Sequence, residues 1–182
     1  MQEVIFKGEK YFFDSGKLYD ESFLEVPSAI SETILAQYFS SIDYTQMEEK
    51  EFVEHLKNLK RANINNKCLE VIEYGLRKFS TSTDYYKTVF PIITSCYRKI
   101  GKPEKAIAFW MENKAIFKNC LSVPLLTSLA AAYCDVGQYE IALKCAQKAY
   151  AIQGGSKNYA TELSNVFHRI NRALGRKDYY EN

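Results

Sequence analysis

From residue 48 to residue 174, apolar side chains recur every three or four positions, which places them on one face of an α-helix. The clearest stripes are Phe90, Ile93, Tyr97 and Ile100, and then Leu126, Leu129, Ala130 and Tyr133. Gly101 and Pro103 directly follow the first stripe, where a glycine ends one helix and a proline begins the next. The pattern therefore predicts helices joined in pairs by short turns.

Two of these predicted pairs share a fixed spacing of residues. A Tyr, a Gly four positions later and an Ala five positions after the Gly occur twice, 36 residues apart. A repeated spacing of this length is typical of stacked helical repeats. We expect the Tyr to fill the gap between the two helices and the Ala to let them approach closely. The two sets are Tyr97, Gly101 and Ala106, and Tyr133, Gly137 and Ala142.

The same register extends to both sides of these two pairs. Upstream, Leu59, Asn63 and Cys68 take the places of the Tyr, the Gly and the Ala. Downstream, the residues from 157 to 174 predict one capping helix, which a stacked array needs at its end. The predicted repeats cover about residues 49–80, 85–118 and 123–156, and with the capping helix they form a domain from residue 48 to residue 182.

The spacing of Tyr, Gly and Ala resembles that of tetratricopeptide repeats (TPR), whose period is about 34 residues. The usual Pro at the end of each repeat is missing, and Gly75 and Asn113 stand where Ala is expected. The resemblance implies a mainly α fold, a TPR-like α-solenoid of about three helix pairs plus a C-terminal capping helix. It also implies that extended peptides or the tails of partner proteins bind along the concave face.

Residues 1–47 have a different pattern. Aromatic and β-branched runs are separated by Gly8–Glu9 and Ser15–Gly16, which predicts a small β-hairpin or meander. Pro27 then introduces a helix over about residues 28–41. Such a small sheet is marginal by itself, so we expect it to pack on the helices or on a partner.

Composition and charge describe an ordinary foldable chain with an uneven distribution of charge. The 182 residues are 47% hydrophobic and 25% charged. Residues 1–47 contain 3 Lys and 8 acidic residues, a net charge of −5, whereas residues 48–182 contain 21 basic and 14 acidic residues, a net charge of +7. The five cysteines are scattered and no apolar run could span a membrane, so we expect a cytoplasmic protein without disulfides.

Signatures of catalysis or metal binding do not appear in the sequence. The two histidines, His55 and His168, lie near no Ser, Cys or Asp at a spacing that local structure would bring together. Phosphate-binding loops, zinc-protease motifs and dinucleotide fingerprints are also missing. The chain is therefore expected to be no enzyme and to need no metal or cofactor.

One side of each first helix would line the concave face of such an array. Seven of the side chains expected there are Lys or Arg, and Asp135 is the only carboxylate, so the groove would attract an acidic partner. A basic, solvated surface without a partner is the alternative. The predicted partner-binding residues are Lys57, Lys60, Arg61, Ser95, Arg98, Lys99, Asn165, Arg169 and Arg172. Val53, Thr88, Thr127, Ala131, Cys134 and Asp135 are expected to face the same groove.

The functional hypothesis is a non-enzymatic protein-interaction module: an adaptor, chaperone or regulatory subunit that binds an acidic peptide or protein surface. The acidic N-terminal segment of the chain is itself a candidate ligand for the basic face. Two alternatives remain open, namely a nucleic-acid-binding accessory protein that uses the basic face and a regulator that senses a signalling peptide. The sequence leaves the oligomeric state and the identity of the partner open.

Overall fold

The structure is a computed structural model that describes residues 1–118, 121–154 and 161–176. The chain divides into two compact units, Met1–Ser80 and Thr81–Asn182. The first unit joins the N-terminal sheet to the first helix pair, whereas the sequence analysis separated residues 1–47 from residues 48–182. Side chains of the sheet explain this grouping, because Gln2 binds Tyr38 and Asn58 through hydrogen bonds of 3.0 and 3.1 Å.

A three-stranded antiparallel sheet opens the first unit. It consists of β1 (Gln2–Phe6), β2 (Glu9–Asp14) and β3 (Lys17–Tyr19), in the order β1-β2-β3. Both connections are two-residue turns, Lys7–Gly8 and Ser15–Gly16, with φ of 51°, 85°, 50° and 93°. Two successive positive φ angles identify type I′ turns, which suit the twist of a hairpin. The predicted first turn at Gly8–Glu9 is therefore wrong by one residue, since Glu9 already pairs with Phe6.

Three helices complete the first unit: α1 (Ser28–Ser41), α2 (Glu49–Arg61) and α3 (Asn65–Lys78). One face of the sheet is apolar and packs on the helices, as the edge-to-face contact of Phe13 with Phe39 shows. At Gly16, an added Cβ would lie 2.7 Å from the carbonyl oxygen of Arg61, so the second turn touches the end of α2. The fully buried core of this unit includes Val4, Leu18, Ile34, Phe39, Phe52, Leu56, Leu59 and Ile72.

The second unit consists of helices only, among the residues that the structure describes. They are α4 (Thr83–Lys99), α5 (Pro103–Glu112), α6 (Lys114–Phe117), α7 (Val123–Asp135), α8 (Tyr139–Ile152) and α9 (Thr161–Ala173). Helix α7 packs against α4, α5, α8 and α9. Ala130, Ala142, Ala146 and Ala149 are fully buried in its core, so small side chains allow the close approach of α7 and α8. The predicted start of the capping helix, at 157–160, lies outside the described residues.

The first helix of each pair ends in the same backbone motif. In each case an amide N–H donates to the carbonyl oxygen five residues earlier. The bonds run from Ile64 to Leu59, from Lys102 to Tyr97 and from Gln138 to Tyr133, at 3.0, 2.9 and 2.9 Å. The residue before that amide has a positive φ, which is the arrangement of a Schellman cap. The angle is 61° at Asn63, 72° at Gly101 and 76° at Gly137. Asn63 thus takes the left-handed conformation that glycine supplies in the second unit.

Helix α9 ends in this motif too. The amide of Arg176 bonds to the carbonyl oxygen of Asn171 at 2.9 Å, and Gly175 has a φ of 63°. The sequence analysis ended the capping helix at residue 174 and did not identify Gly175 as its cap. The four-residue spacing from Asn171 to Gly175 would have revealed it. Helix α9 therefore ends in the same way as α2, α4 and α7.

No helix of the described residues is long and apolar enough to cross a membrane. The described cysteines form no disulfide bonds: Cys68, Cys96 and Cys134 are buried and Cys145 is half-buried. Cys120 lies outside the described residues. These four thiols pack as small side chains in the helical core.

Candidate functional site

Three of the charged residues expected on the first-helix face meet in the second unit. Arg98 Nε on α4 lies 2.6 Å from Asp135 Oδ2 on α7, and a terminal guanidinium nitrogen of Arg169 on α9 lies 2.6 Å from Asp135 Oδ1. The side chains of Arg98 and Asp135 are about one quarter exposed, and that of Arg169 is 42% exposed. One carboxylate thus joins three helices through two charge-assisted hydrogen bonds.

The helix endings explain why these residues meet. Arg98 directly follows Tyr97, Asp135 comes two residues after Tyr133, and Arg169 comes two residues before Asn171. All three therefore lie in the last turns of helices that end in the same cap. Because α7 packs against α4 on one side and α9 on another, Asp135 reaches a guanidinium on each neighbour.

The electrostatics of the cluster follow from this geometry. Burial alone would raise the pKa of Asp135, but the hydrogen bonds and charges of Arg98 and Arg169 outweigh it and hold the pKa below its usual value. The pKa of Arg169 is raised because its bond to Asp135 outweighs its own desolvation. At neutral pH the cluster contains two positively charged guanidinium groups and one negatively charged carboxylate, so its positive charge exceeds its negative charge by one.

The other predicted residues of this unit lie on the same helices. Arg172 and Asn165 are exposed, each about one turn from Arg169 on α9. On α4, Ser95 is half-buried about one turn before Arg98, and Lys99 is exposed. Six of the nine predicted partner-binding residues therefore belong to helices that flank α7, and we call the surface formed by Ser95, Arg98, Lys99, Asp135, Asn165, Arg169 and Arg172 the basic face.

The remaining three predicted residues lie on α2 in the first unit. Arg61 and Lys57 both pair with Glu54, at 2.8 and 3.4 Å, and Arg61 also donates to the side chain of Asn58 at 2.8 Å. Lys60 is half-buried on the same helix. The sequence analysis did not include Glu54, although its spacing of three and seven residues from Lys57 and Arg61 places all three on one helix face.

Three of the residues expected to face the groove do not face solvent. Thr127, Ala131 and Cys134 are 7%, 4% and 3% exposed, so this part of the prediction is wrong. Helices α4 and α9 flank α7, and their packing covers this side of it. Burial also raises the pKa of the Cys134 thiol, which stays protonated at neutral pH. Asp135, at the end of α7, belongs to the basic face through its contacts with Arg98 and Arg169.

Within the described residues, no group of three or more His, Cys, Asp and Glu side chains could hold a metal ion. His55 is 6% exposed and lies between Phe39 and Tyr44, with ring centroids 5.8 and 6.2 Å away. Burial, together with a smaller contribution from the charge of the nearby Lys67, lowers its pKa to about 4. His55 is therefore a neutral side chain of the aromatic core.

Comparison with known proteins identifies the fold. No family model matches the chain, and no curated protein matches its sequence. The crystal structure of a variant of a Podosopora anserina protein, described as a kinesin light chain with nearly identical TPR-like repeats, has a TM-score of 0.52 and 17% identity. The similarity covers 81% of this chain and 77% of that one. A second crystal structure of that protein has a TM-score of 0.49 and 16% identity, covering 81% and 76% of the two chains.

The structural similarity confirms the expected fold class, a mainly α, TPR-like fold of helix pairs with a small N-terminal sheet. TPR-like folds generally mediate contacts between proteins.

Proposed function

We propose that the second unit is a protein-interaction module that binds an acidic peptide or protein surface at the basic face. It serves as an adaptor, chaperone or regulatory subunit in the cytoplasm and catalyses no reaction. The observation that carries the proposal is the convergence of Arg98 and Arg169 on a single carboxylate, at 2.6 Å each. The two guanidinium groups already hold one carboxylate between two helices, and a ligand carboxylate has the same hydrogen-bonding requirements.

Asp135 favours a peptide over a nucleic acid as the ligand. A peptide brings carboxylates that accept hydrogen bonds from the guanidinium groups. It also brings backbone N–H groups that can donate to Asp135. The phosphates of a nucleic acid backbone carry only acceptors and negative charge, so Asp135 would repel them. The basic face is thus a mixed surface of four cationic side chains around one carboxylate.

The direct test measures binding of a fluorescent Glu-rich peptide, with the Gln-substituted peptide of the same length as a reference. We expect the double variant Arg98→Gln, Arg169→Gln to bind the Glu-rich peptide at least about 10-fold more weakly. The matched control is Arg176→Gln, which removes one cation from the same unit that pairs with Glu140 at 3.2 Å. Equal affinities of the double variant and the control would refute the proposal.

Capture from the native cell identifies the partner class. Capture with the wild-type chain and with the double variant, each with and without nuclease, separates protein from nucleic-acid partners. We expect a protein that the wild type retains after nuclease treatment and the double variant loses. A partner that disappears with nuclease, and whose affinity falls steeply as salt rises, would indicate nucleic-acid binding instead.

A further inference from the structure

Strand β1 leaves one edge of the N-terminal sheet open. It pairs with β2 on one side only, in the register that places Phe6 opposite Glu9 and Val4 opposite Tyr11. Among the described residues, no backbone hydrogen bond reaches its other side. The opposite edge of the sheet is covered, because Tyr19 bridges to Glu25 and the amide of Val26 bonds to the carbonyl oxygen of Leu18 at 2.8 Å.

The turn geometry determines which groups of β1 point outward. In a two-residue type I′ hairpin the residues next to the turn exchange both backbone hydrogen bonds, and the bonded pairs then alternate. Phe6, Val4 and Gln2 therefore bond to β2. The N–H and C=O groups of Glu3 and Ile5 point to the open edge.

Features that protect an edge strand from pairing are few on β1. Its five residues contain no proline and no bulge, and they include the consecutive apolar residues Val4, Ile5 and Phe6. The side chain of Ile5 is 55% exposed. Glu3 is the one charged residue of the strand, and it pairs with Lys10 at 2.5 Å.

We propose that β1 pairs in antiparallel fashion with β1 of a second copy of this chain, so that the two sheets become one continuous sheet. In the register that we assign, Val4 lies on the twofold axis. Glu3 then stands opposite Ile5 of the second copy, and Gln2 opposite Phe6. The outward N–H and C=O groups of Glu3 and Ile5 exchange hydrogen bonds with their counterparts.

Charge and hydrogen bonding favour this register and favour β1 of a second copy as the pairing strand. A pairing centred on Glu3 would place two carboxylates directly opposite each other, which is destabilising. A pairing centred on Ile5 would leave the outward groups of Glu3 without partners within the strand. Only the pairing centred on Val4 uses the outward groups of both residues and overlaps the strands over their full length. The strand is thus complementary to itself.

The contact is small, so the association is concentration-dependent. Interfaces below about 1,200 Å² generally belong to weak or transient complexes. We expect a monomer at about 10 µM and a dimer that becomes populated towards about 1 mM. Sedimentation equilibrium of the full chain over this range measures the dissociation constant.

Proline at position 5 is the decisive variant. Ile5→Pro removes only an outward N–H, because the N–H groups of the ladder to β2 belong to Gln2, Val4 and Phe6. We expect it to weaken the dimer at least about 20-fold while the circular dichroism spectrum and melting temperature stay near those of the wild type. Ile5→Ala, which shortens the exposed side chain but keeps the N–H, is the control and should weaken the dimer less than about 5-fold.

Cysteine pairing tests the register. Directly opposite bonded residues have Cα atoms about 5.5 Å apart, within the range of a disulfide. We expect Glu3→Cys and Ile5→Cys chains to form a covalent dimer when mixed and oxidised, and to form far less when each is oxidised alone. The oxidised wild type controls for the native thiols.

Three results would overturn the proposal. The first is a wild type that stays monomeric to about 1 mM, which would leave the edge to a strand from another protein. The second is a dimer that Ile5→Pro leaves intact, and the third is efficient disulfide formation by Glu3→Cys alone. Because all these variants lie in β1, their outcomes are independent of peptide binding at the basic face.

Discussion

The helix pair α2–α3 of the first unit and the pair α7–α8 of the second have the same turn and different cores. Each first helix ends in a Schellman cap, with a φ of 61° at Asn63 and 76° at Gly137. Around Phe52 the first unit packs rings, with Tyr44, Tyr74 and Phe79 at centroid distances of 5.2 to 6.2 Å. The second unit packs α7 and α8 mainly through alanines and leucines.

This difference shows that helix pairs with the same turn can have different core side chains, aromatic rings in one pair and alanines and leucines in the other. The turn depends on one residue that can take a positive φ, which Asn does at moderate cost. The interior needs only enough apolar volume to fill the space between the helices. A pair can therefore lack the Tyr and the Gly, as α2–α3 does, and still turn through the same cap.

The largest expected effect comes from removing the central ring of the first unit. Phe52 is fully buried, so Phe52→Ala should lower the free energy of unfolding of Met1–Ser80 by about 3–5 kcal/mol. Hydrogen exchange of residues 49–78, followed as urea rises, measures this loss. Leu129→Ala is the counterpart in the second unit and should act on residues 123–152 instead. A loss from Phe52→Ala that is equal in both segments would contradict the division into two units.

The second effect is a pH dependence confined to the first unit. The folded pKa of His55 is about 4, below the unfolded value of 6.5, so only the unfolded chain takes up the proton between these values. This contribution to stability is complete above pH 6.5 and is lost as pH falls towards 4. The free energy of unfolding should be about 2 kcal/mol lower at pH 5 than at pH 7.

His55→Phe should abolish most of this difference, because it keeps a ring in the aromatic core and removes the titrating group. Urea unfolding at the two pH values measures it. The control His168→Phe changes an exposed histidine of the second unit and should leave the pH dependence in place. A pH dependence that survives in His55→Phe would show that other groups cause it.

The third effect tests whether the two turns are interchangeable. An added Cβ at Gly137 would meet nothing within 4 Å, so Gly137→Ala adds only backbone strain and should cost about 1–2 kcal/mol. Gly137→Asn should cost less, because Asn tolerates a positive φ as it does at position 63. Thermal unfolding of the two variants gives the order. If Gly137→Asn lowers the stability as much as Gly137→Ala does, the turns at Asn63 and Gly137 are not interchangeable.

The smallest effect concerns the carboxylates that each hold two cations. Asp135 joins three helices and its side chain is 25% exposed, whereas Glu54 binds two residues of its own helix and is 52% exposed. Asp135→Asn should cost up to about 1 kcal/mol and Glu54→Gln a few tenths, since exposed pairs contribute little. Urea unfolding at low and moderate salt measures both. A larger loss from Glu54→Gln would reverse the expected ranking.

The same variant sharpens the proposed function. Asp135→Asn keeps an oxygen that accepts hydrogen bonds from the peptide backbone, but it removes the negative charge that competes for Arg98 and Arg169. The Glu-rich peptide should therefore bind about 3- to 10-fold more tightly. Glu140→Gln is the matched control, because it also removes one negative charge from an exposed ion pair of this unit. Equal gains from both variants would mean that net charge alone, and not the position of Asp135, controls affinity.

Much of the fold could be predicted because it depends on neighbours in sequence. The ends of the helices follow from Gly101, Pro103 and Gly137, whose backbone preferences act within one turn of chain. The two β-turns follow from Gly8 and Gly16, although the first was placed one residue late. The cap after Asn171 was predictable in the same way, because Gly175 follows Asn171 at the spacing that separates Gly101 from Tyr97, but it was not identified.

The candidate site was harder to predict than the fold. Arg98 and Arg169 were identified as basic residues of a first-helix face, but the charge of Asp135 was counted without its partners. Asp135 is 37 and 34 residues from them, so the bonds form only once α4, α7 and α9 are packed. The burial of Thr127, Ala131 and Cys134 likewise depends on the neighbouring helices, which periodicity within one helix cannot reveal.

By itself, the sequence determined the helix pairs, the turn residues and the uneven charge of the chain, because propensities, caps and net charge are properties of short segments. Only the tertiary structure decided that Arg98 and Arg169 share one carboxylate, that His55 lies neutral among aromatic rings, and that β1 is the open edge of the sheet. Each of these facts is a distance between groups far apart in sequence, and packing of the elements sets such distances.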